Sequence, residues 1–345
     1  MECHPNRRGE MECMDNQRTV KWGIMGPGGI SANFASELKH APGAELVAVG
    51  GRSKEKAEAF AAKFGVPGAY GSCEELANDP EVEIVYIGTL HPVHKENALT
   101  LLRAGKSILC EKPFTINASE AKEIAALARE KGAFAMEAMW TRYLPVVRQA
   151  REWLRSGAIG EVKLLKAEFG FDGGWNPQGR LLNREMGGGA LLDAGIYPVS
   201  FASMVFGRQP SRIQSTVRIG ETGVDEQFSL LFDYEDGAVA SLHSGVRLDM
   251  TNDAWIYGTK GKIYVPDFLR AKEATLFVNG EEPVTVRDDR SFVGHAFQAI
   301  EAMNCLREGR KESGEMPLGE TVELMETLDA IRAQWGLTYP GEEEG

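Results

Sequence analysis

Short apolar runs alternate with amphipathic stretches through the first 137 residues. Residues 19–25 carry Val20, Trp22, Ile24 and Met25 and stop at the turn Gly26-Pro27-Gly28-Gly29, after which residues 30–40 read as a helix. The run 44–49 closes on Gly50-Gly51. Ser53 can cap a helix reaching Phe64, with Ala57, Phe60 and Ala61 inside and Glu58 and Lys63 outside. Three further runs, 83–87, 107–110 and 133–137, alternate with helices predicted over 94–104 and 119–131, each closed by a glycine. Continuous apolar strands between helices are buried on both faces, which predicts a parallel, doubly wound α/β sheet over residues 18–137.

The pattern then changes. After a helix predicted at 143–156, strands dominate: 162–171, 212–219, 227–234, 238–245, 254–258, 262–265 and 275–278. Alternation in Val239-Ala240-Ser241-Leu242-His243 marks a sheet wet on one face. One helix near 189–206 interrupts the strands, and two more, 295–307 and 318–335, close the chain. Residues 138–338 therefore read as an α+β domain on an open, mostly antiparallel sheet. Residues 1–17 and the acidic 339–345 read as solvated tails.

Composition narrows the function. The 345 residues are 43% hydrophobic and 26% charged, an average globular balance that excludes disordered, collagen-like and disulfide-scaffold classes. A net charge of −12 disfavours nucleic acid and anionic membranes as partners. Much of it comes from the end: from Glu312 onward nine acids face only Arg332. No uninterrupted apolar run reaches the roughly 18 residues of a membrane span, and the polar N-terminus lacks a leader's apolar core. Five scattered cysteines indicate a reducing, cytoplasmic setting. Cys3-His4 and Cys13 lack a fourth ligand at metal-site spacing, so no metal is expected.

The first strand–turn–helix unit carries the chemistry. Gly26-x-Gly28-x-x-Ser31 is a dinucleotide fingerprint: Gly26 permits the tight turn, Gly28 lets backbone approach a pyrophosphate, and the helix from Gly29 and Ile30 offers its amides. The second strand ends in Arg52-Ser53-Lys54, with no acid to hold a ribose diol. That favours the 2′-phosphate of NADP, with NAD as the alternative.

These features sit in a longer ordered set. Gly26-x-Gly28, Thr89-Leu90-His91-Pro92-Val93-His94, Glu111-Lys112-Pro113 and Gly187-Gly188-Gly189-Ala190-Leu191-Leu192-Asp193-Ala194-Gly195-Ile196-Tyr197 resemble the Gfo/Idh/MocA oxidoreductase family, from about residue 20 to 335. Met136-Glu137-Ala138-Met139-Trp140-Thr141-Arg142-Tyr143 resembles its dimeric dihydrodiol dehydrogenase and xylose dehydrogenase branch. The resemblance implies an N-terminal Rossmann domain and hydride transfer between NADP and a secondary alcohol or ketone of a sugar or cyclic trans-diol. It also implies that Lys112 holds the reacting hydroxyl, and that Tyr197, where the family usually has His, is the acid–base group. Asp193, four residues earlier on the same helical face, would orient substrate. A phenol ordinarily ionises near 10, so Tyr197 needs a cation such as Lys112 to serve as base.

Thr89, His91, His94 and Glu111 are implied along the cofactor. Trp140, Arg142, Trp175 and Arg180 are substrate-pocket candidates, although the tryptophans could instead pack between domains. His91-x-x-His94 could hold zinc, but no third ligand accompanies it. Keto-sugar reduction of the 1,5-anhydrofructose type and a non-catalytic, NADP-binding redox regulator remain as alternatives. The open sheet face predicts a homodimer or a dimer of dimers.

Overall fold

The computed structural model describes residues 3–5, 11–13 and 18–342. Most of the expected N-terminal tail and the last three acidic-tail residues lie outside them. Cys3–Pro5 pairs with Met11–Cys13 as a short antiparallel ribbon.

Six strands form the first sheet: β1 (Val20–Met25), β2 (Ala44–Gly50), β3 (Gly68–Tyr70), β4 (Ile84–Ile87), β5 (Ser107–Glu111) and β6 (Ala135–Ala138). Their spatial order is 3-2-1-4-5-6 and every pairing is parallel, the doubly wound arrangement of dinucleotide-binding domains. β4, β5 and β6 are buried at every position, as their unbroken apolar runs require. The helices start and stop on local chemistry. Ser53, Ser72 and Asn117 accept capping bonds from Lys56, Glu75 and Glu120 amides, while left-handed Gly65 and Gly132 end two of them. Strand β3 and the helix Cys73–Ala77 are too short to leave a periodic signal and were not expected from the sequence.

The second sheet has eight strands: β7 (Val162–Gly170), β8 (Arg212–Ile219), β9 (Asp225–Asp233), β10 (Val239–Gly245), β11 (Ala254–Gly258), β12 (Gly261–Val265), β13 (Glu273–Val278) and β14 (Val284–Arg287). Only β10 with β7 is parallel; the other pairings are antiparallel. The last strand, β14, is mostly exposed and went unread in the sequence. The stretch Arg184–Phe206 is long and apolar enough to cross a membrane by composition, but it is 83% buried here as a core helix.

The chain returns twice to the first domain. Helix His295–Arg307 sends Ala299, Ala302, Met303 and Cys305 into the same core as Val20 and Trp22 of the first sheet and Phe34 of helix Gly29–Leu38. Its entry is fixed by Glu37, at the end of helix Gly29–Leu38. The Glu37 carboxylate accepts the amides of Val293 (2.9 Å), Gly294 (2.9 Å) and Ala296 (3.3 Å) and faces His295 Nδ1 at 3.4 Å. The second return is the C-terminal segment. Tyr339 is buried and donates to the Gly188 carbonyl at 2.7 Å, while Glu342 pairs with Arg332 and accepts from Asn117. The expectation of a solvated tail from residue 339 is therefore corrected up to Glu342: an aromatic ring and a buried arginine give the segment something to dock on.

Glu37 yields a pH prediction. Burial disfavours its charge, but the hydrogen bonds from His295, Gly294 and Val293 outweigh that and hold it at about 2. A carboxyl depressed below its unfolded value of about 4.3 stabilises the fold above that pH and loses the contribution as pH falls through the folded value. Wild-type stability is thus expected to drop between about pH 4 and 2. Glu37→Gln should be less stable at pH 7 and flatter across that window in urea unfolding; an unchanged slope would refute the assignment.

Candidate active site

The carboxyl ends of the first-sheet strands open onto a cleft of about 1490 Å³ that continues to β7 and the helix bearing Tyr197. Gly26 has φ 98°, and a Cβ there would come within 2.8 Å of Thr89 and 2.9 Å of the Gly88 carbonyl, so the turn itself demands glycine. Gly28 and Gly29 differ. Both line the cleft, and a Cβ on either would meet no protein atom nearer than 3.9 Å. Their smallness leaves the mouth of the helix accessible. Gly28 caps that helix without a side-chain bond, no acid occupies its first turn, and Ile30 also borders the cleft. An uncapped helix start reached over bare backbone fits a pyrophosphate.

At the end of β2, Arg52 and Ser53 line the cleft as the sequence implied. Lys54 does not; Lys56 does instead. Ser53 Oγ accepts the Lys56 amide at 3.3 Å, so Lys54 is the first helical residue and two positions turn the side chain to another face. Arg52 has no ion pair among the described residues.

The reacting end assembles from both domains. β5 runs into Glu111 and Lys112, and the Lys112–Pro113 peptide is cis. Lys112 Nζ donates to the Asp193 carbonyl at 2.6 Å, lies 3.8 Å from Asp193 Oδ1, and sits 4.8 Å from the Tyr197 ring centre. Arg180 pairs with the same Asp193 oxygen. Trp140 Nε1 donates to the Tyr197 hydroxyl at 3.1 Å, and Phe169 meets the Tyr197 ring edge-on. Behind Lys112, Glu111 accepts the Tyr86 hydroxyl at 2.6 Å and the Lys112 amide at 3.2 Å. The expected regular helix begins instead with a widened π-turn, Leu191–Gly195, followed by Ile196–Phe206. Asp225 Oδ2 accepts the Leu191 amide at 2.6 Å and anchors this turn, and Asp193 and Tyr197 both border the cleft.

The charges follow from these contacts. Burial alone would neutralise Asp193, but Lys112 and Arg180 outweigh it and hold the carboxyl at about 2. Burial likewise works against the Lys112 ammonium, yet Tyr197, Asp193 and Glu111 raise its pKa overall. Tyr197 goes the other way. Burial pushes the phenol upward, and Lys112 and the Trp140 bond only partly oppose this. Without substrate the site therefore rests as ammonium, carboxylate and neutral phenol.

The remaining candidates separate. His91 lines the cleft, pushed down to about 3 mainly by burial, and its Nδ1 meets the Gly187 carbonyl at 3.0 Å. His94 does not reach the cleft; its two ring nitrogens face the Pro113 and Thr89 carbonyls at 2.9 and 3.2 Å and brace the lysine loop. Thr89 and Glu111 are cleft-lining, as are Trp140 and Arg180. Arg142 is not: it is buried against Ser200 and Glu320, stitching the helix of Tyr197 to the last helix. Trp175 is half-exposed under Arg247, carried outward by the Gly173-Gly174 loop. Among the lining residues that the sequence did not single out are Lys56 and His295. The His295 ring stacks on Trp140 at 4.7 Å, a contact between segments 155 positions apart that no local pattern signals.

Comparison with known proteins agrees with this architecture. Residues 20–139 match the GFO/IDH/MocA oxidoreductase family model with its NAD-binding Rossmann fold, and residues 147–264 match a GFO/IDH/MocA C-terminal domain. The chain is 43% identical over 331 residues to trans-1,2-dihydrobenzene-1,2-diol dehydrogenase of Mus musculus, covering 93% of this chain and 98% of that one. It is 40% identical over 330 residues to the Homo sapiens enzyme of the same name, covering 93% and 98%. Among solved structures, aldose-aldose oxidoreductase from Caulobacter crescentus, complexed with glycerol, superposes with TM-score 0.83 at 22% identity over 93% of this chain and 99% of that one. A 3-ketoreductase from Actinomadura kijaniata, in complex with NADP and TDP-benzene, gives 0.80 at 23% identity over 92% and 98%. With both domains matched in order and an uncapped glycine turn suited to a dinucleotide, this chain belongs to the Gfo/Idh/MocA family of NAD(P)-binding oxidoreductases.

Proposed function

We propose that this protein is an NADP-dependent dehydrogenase that interconverts a secondary alcohol and ketone on a cyclic trans-diol or sugar, with Tyr197 as the acid–base group. The observation that carries this reading is the Lys112 ammonium set between the Asp193 carbonyl, at 2.6 Å, and the Tyr197 ring, at the far end of the cleft from Gly26–Ile30. The trans-dihydrodiol activity named for relatives at about 40% identity supports the substrate class.

Gly26, Gly28, Gly29 and Ile30, with Arg52 and Lys56 beyond, would hold the dinucleotide, which would supply hydride acceptance and donation. Everything else falls to side chains. Lys112 and Arg180 are fixed cations that hold the substrate oxygen and stabilise negative charge on it. Asp193 stays ionised and orients both cations. Tyr197 rests as a phenol, ready to give its proton to a ketone oxygen. In the oxidative direction it takes the hydroxyl proton as Lys112 stabilises the phenolate. The neutral resting phenol favours a keto-sugar reductase as the second reading.

The outer face of the second sheet carries exposed Leu231 and a stacked row of Trp255, Tyr257, Tyr264 and Phe277. A second copy covering this face would make a homodimer.

Three outcomes are expected. Tyr197→Phe should lower kcat by about 10²- to 10⁴-fold while leaving NADP affinity near wild type; retained turnover would remove Tyr197 from the chemistry. Arg52→Ala should weaken NADP by about tenfold or more and NAD far less, read by fluorescence titration. Equal losses would end the 2′-phosphate argument. Sedimentation should show a dimer that Leu231→Glu shifts toward monomer, whereas a wild-type monomer would contradict the covered face.

A further inference from the structure

The reacting end of the cleft has an unequal supply of hydrogen-bonding groups. Lys112 and Arg180 are donors only, and Trp140 Nε1 is a donor already committed to Tyr197. Lys112 and Arg180 both address Asp193 Oδ1, and both Glu111 oxygens are taken, by the Tyr86 hydroxyl and the Lys112 amide. His295 offers a further side-chain acceptor, beside Trp140. His295 is 5% exposed, it lines the cleft, and its Nε2 has no partner among the described residues.

Resting on the diol reading above, we infer that His295 is a substrate-binding residue whose Nε2 accepts a hydrogen bond from the hydroxyl adjacent to the reacting carbinol. Two features set this up. The first is the tautomer. His295 Nδ1 faces Glu37 Oε1 at 3.4 Å, and an ionised carboxylate accepts only. In the neutral imidazole the proton therefore sits on Nδ1 and the lone pair on Nε2. The second is rigidity. Glu37 also holds the amides of Val293, Gly294 and Ala296, which fixes the backbone on both sides of the ring. Gly294 has φ 132°, and a Cβ there would come within 2.5 Å of the Leu144 side chain, so the turn before the ring favours glycine. The acceptor is thus in place before substrate arrives, which keeps the ordering cost of binding low.

Position completes the argument. Trp140 is shared: its edge nitrogen touches the Tyr197 hydroxyl at 3.1 Å, and its face carries the His295 ring at 4.7 Å and 27°. The proton-transfer atom and the free acceptor therefore lie around one indole, the first at its edge and the second above its plane. A vicinal diol offers two oxygens to such a pair, one on carbon that loses hydride and one beside it. A mono-alcohol fills only the first place and leaves a buried acceptor unmet.

The test compares trans-1,2-cyclohexanediol with cyclohexanol, each with NADP, on wild type, His295→Phe and His295→Gln. Phenylalanine keeps the stack on Trp140 but has no acceptor. His295→Phe should lower kcat/KM for the diol about tenfold or more, chiefly through KM, and change cyclohexanol by less than about threefold. His295→Gln, with an amide oxygen, should recover part of the diol preference. Equal losses on both alcohols would mean a structural role and overturn the inference, as would an undiminished diol preference in His295→Phe. If wild type oxidises neither alcohol, the proposed reaction fails on these substrates, and calorimetric binding to the NADP-loaded protein decides the inference separately. A diol-over-alcohol affinity ratio that collapses in His295→Phe upholds it; an unchanged ratio refutes it.

Discussion

A buried ammonium that must find partners across a domain boundary governs this molecule. Lys112 leaves the first sheet at the end of β5, and taking its charge out of water is costly unless something compensates. Beyond the neighbouring Glu111, its compensation lies in the second domain, as the carbonyl and carboxylate of Asp193 and the face of Tyr197. Other bonds keep the two sides aligned. His91 reaches the carbonyl of Gly187, Arg332 reaches that of Ile116, and Tyr339 reaches that of Gly188. They bind the loop after Lys112 and the glycine run before Asp193 to common supports.

Electrostatics at this junction divide labour by burial. Asp193 is kept charged because two cations stand against it, whereas Tyr197 meets one cation through its ring and is kept neutral by the same dry surroundings. Burial thus holds the proton on the phenol against a single cation. A second cation near its oxygen, or negative charge developing on a substrate oxygen, would shift that balance.

Much of this was legible in the chain. Parallel strands buried on both faces leave unbroken apolar runs, so β1, β2, β4 and β5 stood out, and the glycine turn, Glu111-Lys112-Pro113 and the Asp193/Tyr197 pair sat at their ends as expected. What escaped depends on contacts between distant segments. Arg142 sits beside Trp140 in sequence, yet one faces the cleft and the other a core ion pair with Glu320, a choice made by the last helix. Lys54 and Lys56 are equivalent in composition, and only the Ser53 cap determines which side of the helix each takes. The acidic end reads as solvated because Tyr339 alone carries no period, and the carbonyl that its hydroxyl meets lies some 150 residues away. His295 opens a helix whose pattern says nothing about Trp140.

The helix His295–Arg307 has a consequence for what counts as a module. Residues 20–139 match a family model by themselves, yet the face formed by Val20, Trp22 and Phe34 is closed by Ala299, Ala302 and Met303, supplied some 160 residues later. The nucleotide-binding unit is therefore spliced from two pieces of chain. Cut after β6, it would present an uncovered tryptophan and phenylalanine to water and lose the partner of Glu37. Grafting this domain elsewhere requires carrying that late helix with it, and during synthesis the first domain stays open on that side until most of the second has emerged.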